Sequence, residues 1–229
     1  MTRACSLLAI ALVACAPRTS AERGEALFSD PALAGSDLNT ASCATCHATD
    51  ALPADRTLAG GTLHGVMGRP SYWGGTLLDP RAAVNACLYY FMRAPSRERL
   101  TTADARGEDL LAYLETLGGT GSSSAVRFTV PMTLPTTLPT GDATRGATIY
   151  TRACRGCHGD LHTGSGRSTP LAPIIPDATR TEHGTFAHSV ALAKVRHGGF
   201  YGIGGAMPPF SIETLDDAAL ADVLSYLGL

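Results

Sequence analysis

The sequence predicts an all-α protein built of two small domains in tandem and joined by a linker. One set of motifs occurs twice in the same order, the last segment of each copy has helical spacing, and no run of residues alternates as a strand would. The chain has 229 residues, enough for two domains of about 100 residues each. We expect a leader at residues 1–15, a first domain at 16–118, a linker at 119–140 and a second domain at 141–229.

Each copy of the repeat contains three motifs. An Arg-Gly pair opens it (Arg23-Gly24 and Arg145-Gly146), a Cys-x-x-Cys-His motif follows, and a segment beginning with Asp109 or Asp222 closes it. The spacing between the second and third motifs is almost the same in both copies. This match predicts two domains of one kind.

Helices are expected at the start of each copy and in the middle of the first. Residues 22–28 and 143–154 have helical spacing. Asp79 followed by Pro80 is typical of an N-cap and a first helical position, which predicts a helix that continues through Ala94.

The closing segment of each copy is also a predicted helix. Thr101 with Asp104, and Thr214 with Asp217, have the spacing of a capping box ahead of leucine-rich runs. Gly118 then ends the first of these helices. Residues 119–140 between the copies are rich in Gly, Ser, Thr and Pro, which predicts a linker that is semi-extended at its proline end.

The N-terminus has the pattern of an export signal. Arg3 is the only charge before an apolar run from Ala4 to Ala14, which is too short to span a membrane. The next residue is Cys15, and residues 12–15 resemble a bacterial lipoprotein box, so we expect lipidation of Cys15. The alternative is cleavage beyond Cys15 and release of a soluble periplasmic protein. The chain is expected to be exported and lipid-anchored to a bacterial membrane, facing the periplasm or the cell surface.

The Cys-x-x-Cys-His motif indicates covalent attachment of a c-type haem. The two thiols add to the haem vinyl groups, and the adjacent imidazole becomes the proximal iron ligand. A zinc site would need its second ligand pair much closer in sequence, and a thioredoxin-like redox pair would need a βαβ context. We therefore expect two covalently bound haem c groups. The predicted thioether cysteines and proximal histidines are Cys43, Cys46, His47, Cys154, Cys157 and His158.

The second copy contains one favoured candidate for the sixth iron ligand. Met207 lies in the segment Gly-Gly-Ala-Met-Pro-Pro-Phe, in which glycines allow a close backbone approach and prolines hold an extended chain. The alternatives in this copy are expected to lie at the surface or at the haem edge: His162, His183, His188 and His197.

The first copy offers two sulfur atoms on one predicted helix, Cys87 and Met92. Five residues of helix turn about 500°, so the two side chains cannot serve the same iron unless the helix ends between them. The cysteine count favours Cys87, because every other cysteine has an assigned role and an idle thiol is unfavourable in an oxidising compartment. The spacing to the closing-helix tyrosine favours Met92 instead, and a buried inert thiol is the remaining interpretation of Cys87. Met67 and His64 are further candidates.

Each half resembles class I cytochrome c domains, with a Cys-x-x-Cys-His after the first helix, a late methionine and a closing helix with an aromatic residue. Asn85-Ala86-Cys87, with Met92 beyond it, also resembles the first domain of thiosulfate dehydrogenases and the haem subunit of the thiosulfate-oxidising complex. The segment Arg69-Pro70-Ser71-Tyr72 fits that pattern loosely. The resemblance implies that Cys87 ligates a catalytic haem. The Met-Pro-Pro-Phe loop of the second half is typical of electron carriers and has no match in the sulfur enzymes.

Three arginines of the first half have two interpretations. Arg69, Arg81 and Arg93 can hold an anionic substrate or pair with haem propionates, and the second interpretation is favoured because every haem domain must neutralise its propionates.

Electron transfer between redox protein partners is the leading functional prediction. A cysteine ligand lowers the haem potential and a methionine ligand raises it, which favours flow from the first haem to the second. The alternative is an enzyme that oxidises a small sulfur anion at the first haem, with Cys87 as its critical residue. A dihaem peroxidase is less favoured because it requires an open iron face. The net charge of −2 argues against a nucleic-acid partner.

Overall fold

The computed structural model describes residues 17–39, 41–51, 58–118, 126–200 and 205–229. Within these ranges the chain forms nine α-helices and short 3₁₀ turns, with two isolated bridges and no strand. The predicted all-α class is therefore confirmed for this part of the chain. No helix in it has the length and apolar character needed to cross a bilayer. The predicted leader, including Cys15, lies outside the described residues.

The helices fall into two groups along the chain, which we call the first half (residues 17–118) and the second half (residues 126–229). Those of the first half are α1 (Ser20–Phe28), α2 (Cys43–Cys46), α3 (Pro80–Tyr90) and α4 (Ala105–Thr116). Those of the second half are α5 (Ala143–Ala153), α6 (Arg155–His158), α7 (Asp177–His183), α8 (Ala187–His197) and α9 (Asp217–Leu227).

In the first half, α1 packs against α4. The Arg23 guanidinium donates to both carboxylate oxygens of Asp109 at 2.7 Å. A side chain at Gly24 would overlap the carbonyl of Asp109, so glycine is what allows the helices to approach this closely. One turn further along, the rings of Phe28 and Tyr113 lie 5.4 Å apart.

In the second half, α5 packs against α9 through the corresponding residues. Arg145 donates to both carboxylate oxygens of Asp222 at 2.8 and 2.9 Å, and a side chain at Gly146 would overlap the Asp222 carbonyl. The rings of Tyr150 and Tyr226 lie 5.6 Å apart. The motifs that repeat in the sequence thus make the same contacts in both halves.

Two predicted caps were wrong by a few residues. The N-cap of α4 is Asp104, whose carboxylate accepts the Arg106 N–H, and not Thr101. The N-cap of α9 is Asp216, which accepts the Ala219 N–H, and not Thr214. An aspartate adjacent to the first helical residue is a stronger N-cap than a threonine placed further upstream.

Helix α3 starts where the sequence predicts but ends early. The Asp79 carboxylate caps it and Pro80 is its first residue. Its last residue is Tyr90, whereas the prediction extended to Ala94. The chain leaves the helix because Arg93 adopts φ +60°, and the Ala94 N–H turns back to the carbonyl of Leu88 at 2.9 Å. The helix therefore ends between Cys87 and Met92.

Residues 126–140 contain no helix and pack along the second half. The Glu213 carboxylate accepts the backbone N–H and the hydroxyl of Thr129 at 2.8 and 2.7 Å. Leu134 and Leu138 are partly buried against the core of this half.

Candidate haem-attachment sites

The first Cys-x-x-Cys-His motif is one helical turn followed by an extended residue. Cys43 and Cys46 begin and end α2, so their side chains lie on one face of the turn. The Ser42 N–H donates to Thr45 Oγ1 at 3.0 Å at the start of this turn. His47 leaves the helix with φ −125° and ψ 133°, and its N–H donates to the Cys43 carbonyl at 3.0 Å.

The imidazole of His47 packs against the backbone of Gly60. A side chain at Gly60 would overlap the ring, and the Gly60 N–H donates to the Cys46 carbonyl at 2.8 Å. His47 Nδ1 is buried without a hydrogen-bond partner. Burial lowers the pKa of this imidazole to about 4. The ring is therefore held neutral, which is the state that binds a metal.

The second motif also contains one helical turn, but its histidine is the last residue of that turn and has a different support. Cys154 caps the end of α5, α6 contains the remaining residues of the motif, and the His158 N–H donates to the Cys154 carbonyl at 3.0 Å. His158 Nδ1 donates to the carbonyl of Pro173 at 3.0 Å. That bond fixes the ring and leaves Nε2 free to coordinate a metal. Burial lowers the pKa of His158 as well.

The motif cysteines are thiols in apolar surroundings. None of the five cysteines in the described part of the chain forms a disulfide. Burial raises the pKa of Cys43 to about 11 and that of Cys154 to about 12. Burial also raises the pKa of Cys46 and Cys157. Neutral thiols beside a buried, neutral imidazole fit the covalent attachment of an apolar macrocycle in both halves.

In the second half, the loop with Met207 is held by the end of α8. The Gly199 N–H donates to the Met207 carbonyl at 2.6 Å, and the Phe210 N–H donates to the Val195 carbonyl at 2.9 Å. Met207 is partly buried against the core that contains Leu192 and Phe210. The predicted sixth ligand therefore lies in a loop that is attached at the methionine itself and at Phe210.

Arg196 also supports the loop that contains Met207. It is fully buried, and its Nη1 donates to the carbonyls of Phe210 at 3.3 Å and Leu215 at 2.5 Å. Its Nη2 donates to Asp217 at 2.6 Å, at the start of α9. Arg196 is not identifiable from the sequence, because a lone arginine in a helix gives no sign that it is buried.

In the first half, the structure brings Cys87 and the attachment cysteines together. Cys87 lies close enough to Cys43 and Cys46 for the ionisation of one thiol to affect the next. Cys43 raises the pKa of Cys87, and Cys87 raises the pKa of Cys46, although burial has the larger effect on both. Met92 lies in the hydrophobic core with Leu88 and is only 6% exposed. Since α3 ends at Tyr90, helix geometry no longer separates the two sulfur atoms, and their surroundings distinguish them instead.

The other candidate ligands have different environments. Met67 packs against the first-half core, and His64 packs against Gly118. In the second half, His197 Nε2 donates to the Pro131 carbonyl at 2.9 Å and His162 Nδ1 lies 2.9 Å from Asp177. His183 and His188 are exposed, as is His162.

Two of the three arginines that were considered for propionates or substrate are engaged with protein groups. Arg69 donates to the carbonyls of Thr62 and His64 at 2.8 and 3.2 Å. Arg81 donates to the Thr101 carbonyl and to Glu108. Arg93 occupies the left-handed turn after α3.

The two attachment turns lie next to each other. A methyl group at Gly156 in α6 would be 3.7 Å from Thr45 in α2, and the charge of Cys157 raises the pKa of Cys46 beyond the effect of burial. The Thr169 hydroxyl donates to the Leu38 carbonyl at 2.9 Å, and Ala59 is buried in the same apolar cluster as Leu192 of the second half.

Comparison with known proteins identifies one domain. Residues 141–227 match the family model of cytochrome c oxidase, cbb3-type, subunit III. This part of the chain is similar to a cytochrome c-type domain, a kind of domain that carries covalently bound haem c and transfers electrons.

One solved structure is similar over most of the chain. It is the thiosulfate dehydrogenase (TsdBA) from Marichromatium purpuratum in its as-isolated form, with 19% identity and a TM-score of 0.42. The alignment covers 91% of this chain and 45% of that one, so the chain spans less than half of that protein. No curated protein matches the sequence.

Proposed function

We propose that this chain is a dihaem c-type cytochrome that passes single electrons between two redox proteins, through one haem in each half. The observation behind this proposal is the agreement between the two attachment sites: each motif contains one helical turn and ends in a partly buried histidine whose pKa is lowered. The cytochrome c-type domain at residues 141–227 supports the assignment of the second site.

Haem supplies the one-electron chemistry, and the protein residues determine its potential and its exposure. His47 and Cys87 are the proposed axial ligands in the first half, and His158 and Met207 in the second. Cysteine ligation lowers a haem potential and methionine ligation raises it, so electrons flow from the first haem to the second.

The contact between α2 and α6 supports direct transfer between the haems. A methyl group at Gly156 would be 3.7 Å from Thr45, and Cys157 is close enough to Cys46 to raise its pKa. Haems bonded through these cysteines would be held in neighbouring parts of the two halves. A swinging motion of one half relative to the other is then unnecessary for transfer.

The proposed location is the outer face of a bacterial membrane. Export is required because covalent haem attachment takes place outside the cytoplasm, and lipidation of Cys15 would hold the protein near membrane-bound redox partners. This part of the proposal depends on the N-terminal sequence alone.

The intact mass of the holoprotein tests the number of haems. We expect the mass of two haem groups on the purified chain, and the mass of one in each of two double variants, Cys43→Ser with Cys46→Ser and Cys154→Ser with Cys157→Ser. Each variant is the matched control for the other. A wild-type chain with a single haem would contradict the dihaem assignment.

A redox titration should show two separated waves, and one wave at high potential would contradict Cys87 ligation.

A second candidate function is oxidation of a small sulfur anion at the first haem, and the position of Cys87 near the attachment cysteines favours it. Rapid reduction of the ferric holoprotein by thiosulfate, lost in Cys87→Ala while both haems remain attached, is the expected result for such an enzyme. If neither thiosulfate nor a related anion reduces the protein, electron transfer between proteins is the only function retained.

A further inference from the structure

The indole of Trp73 covers the face of α3 that contains Cys87. Its Nε1–H donates to the Ala83 carbonyl at 3.2 Å. Its ring lies nearly parallel to that of Phe91, with a 9° angle between the planes and 5.7 Å between the centroids. Ala83, Cys87 and Phe91 follow one another at intervals of four residues, so they share one side of the helix. The indole therefore extends along the helical turn from which Cys87 projects.

The backbone at Trp73 is held in an unfavourable conformation. Trp73 has φ +52°, and the two glycines after it have φ +65° and +93°. A left-handed conformation costs a residue other than glycine about 1–2 kcal/mol. Side chains at these glycines would meet no atoms within 4 Å, so packing around them does not impose the turn. The contacts of the indole are what stabilise it, and such strain is found where a side chain must be aimed.

Trp73 also separates Cys87 from a surface cleft. The cleft has a volume of about 740 Å³, and its lining includes Trp73, Ala86, Tyr90 and Arg97. Cys87 is not part of the lining. Trp73 contacts the side of α3 that contains Cys87 and also lines the cleft, so it lies where it can limit the access of cleft water to that side of the helix.

We propose that Trp73 is a positioning residue that holds the Cys87 sulfur toward the first haem and shields it from water in the cleft. The inference rests on the proposed function, in which Cys87 is the sixth iron ligand. The electrostatics of the thiol agree with the geometry: burial raises the pKa of Cys87 to about 12, and the indole N–H of Trp73 acts in the opposite direction.

The predicted consequence is a higher reduction potential for the first haem. The N–H dipole of the indole, whose hydrogen bond goes to the Ala83 carbonyl, stabilises negative charge on a nearby thiolate, which favours the reduced metal. Loss of the indole should therefore lower the potential of the first haem and leave that of the second haem unchanged.

The test compares Trp73→Phe and Trp73→Ala in the holoprotein. Phenylalanine retains a ring and removes only the N–H, whereas alanine removes both. At a fixed solution potential we expect the ratio of reduced to oxidised first haem to fall about tenfold in both variants, equivalent to a shift of about 59 mV for a one-electron couple. In Trp73→Ala we also expect added imidazole to replace the sulfur ligand of the ferric haem at least about tenfold faster.

Two controls separate this role from a general effect on folding. The second haem serves as an internal reference in every titration. Tyr89→Leu removes an aromatic ring from the same helix, and the ring contacts of Tyr89 are with Tyr90 and Arg97 and not with Trp73. This variant should titrate like the wild type. If Trp73→Ala does not fold, Trp73→Phe still tests the N–H.

The outcomes distinguish this inference from the proposed function. Two attached haems with wild-type potentials and imidazole kinetics in both Trp73 variants would overturn the inference alone. An unchanged first-haem spectrum in Cys87→Ala would overturn the assignment of Cys87 as a ligand, and the role of Trp73 with it. Electron transfer through two attached haems would survive either result.

Discussion

The two halves agree on the proximal side of the proposed haems and differ on the distal side. In both, an arginine–aspartate pair and a pair of aromatic rings join the first and last helices, and a single turn presents two thiols and an imidazole. On the distal side, the first half has a helix with Cys87 and the second half has a loop with Met207.

This difference indicates which residues of each half position its proposed sixth iron ligand. A residue on a helix is positioned by its backbone hydrogen bonds and by side chains that pack on the helix, as Trp73 does on α3. A residue in a loop needs separate supports, and Arg196 with the end of α8 supplies them around Met207. Under the proposed dihaem assignment, the proximal side is the constant part of the repeat, and the distal side would determine how the two haems differ.

Removal of the proposed sixth ligands should have the largest effect on the difference between the two halves. We expect Met207→Ala to lower the potential of the second haem on the order of 0.1 V or more, within the span of about 0.8 V that axial ligands cover. The charge-transfer band of methionine-ligated ferric haem should disappear at the same time. Cys87→Ala should instead convert the first ferric haem from low spin to high spin.

Titration and spin-state spectroscopy of both variants, with Met92→Leu as the matched control, check these expectations. Met92→Leu retains an apolar side chain in the first-half core and should leave both haems unchanged. Loss of low-spin character in Met92→Leu, with none in Cys87→Ala, would exchange the roles of the two sulfur residues.

Arg196→Met should produce the next largest effect, because it leaves two buried carbonyls without a donor. Each unsatisfied buried acceptor costs about 1–3 kcal/mol, so the free energy of unfolding of the second half should fall by about 2–4 kcal/mol. Met207 ligation should weaken in parallel. Thermal unfolding, together with the methionine charge-transfer band, measures both effects.

Arg155→Ala is the matched control for Arg196→Met. Arg155 forms an exposed pair with Asp160 at 2.7 Å, and such pairs contribute about 0–1 kcal/mol. Retention of full stability and of the band in Arg196→Met would mean that Arg196 does not support the loop.

The sequence was sufficient to predict the all-α class, the starts of several helices and the motif residues, because these depend on local patterns. Asp79 and Pro80 predicted the first turn of α3, since a cap needs only adjacent residues. The end of α3 was not predictable, because it depends on the left-handed turn at Arg93 and on the distant contacts that hold it.

The groups that hold the two imidazoles also could not be predicted from the sequence. Gly60 lies against His47, and the Pro173 carbonyl accepts from His158, yet neither residue belongs to a recognisable motif. A backbone carbonyl is present at every position, so only the fold shows which one meets the ring. The same limit applies to Trp73, whose role depends on a helix that follows it in the chain.

The smallest expected effect concerns the arginine–aspartate pairs, which are the most similar feature of the two halves. Arg23 and Arg145 donate to the carboxylates of Asp109 and Asp222 and hold the pKa of each carboxyl below its usual value. The two aspartates are buried, but their arginines are half exposed or more, so solvent screens the pairs. We expect Asp109→Asn and Asp222→Asn each to lower the free energy of unfolding by about 1 kcal/mol at neutral pH.

The pH dependence of these variants gives the sharper test. A carboxyl whose pKa is depressed in the folded protein contributes stability that is present above the pKa of the unfolded chain, about 3.9, and that is lost as the pH falls through the folded value. The difference in stability between wild type and each variant should therefore be constant near neutrality and shrink below about pH 4. Denaturant titrations at several pH values measure it. A difference that grew in acid would mean that the carboxylates do not stabilise the helix pairs, and unequal differences for Asp109 and Asp222 would show that the halves differ even where their contacts match.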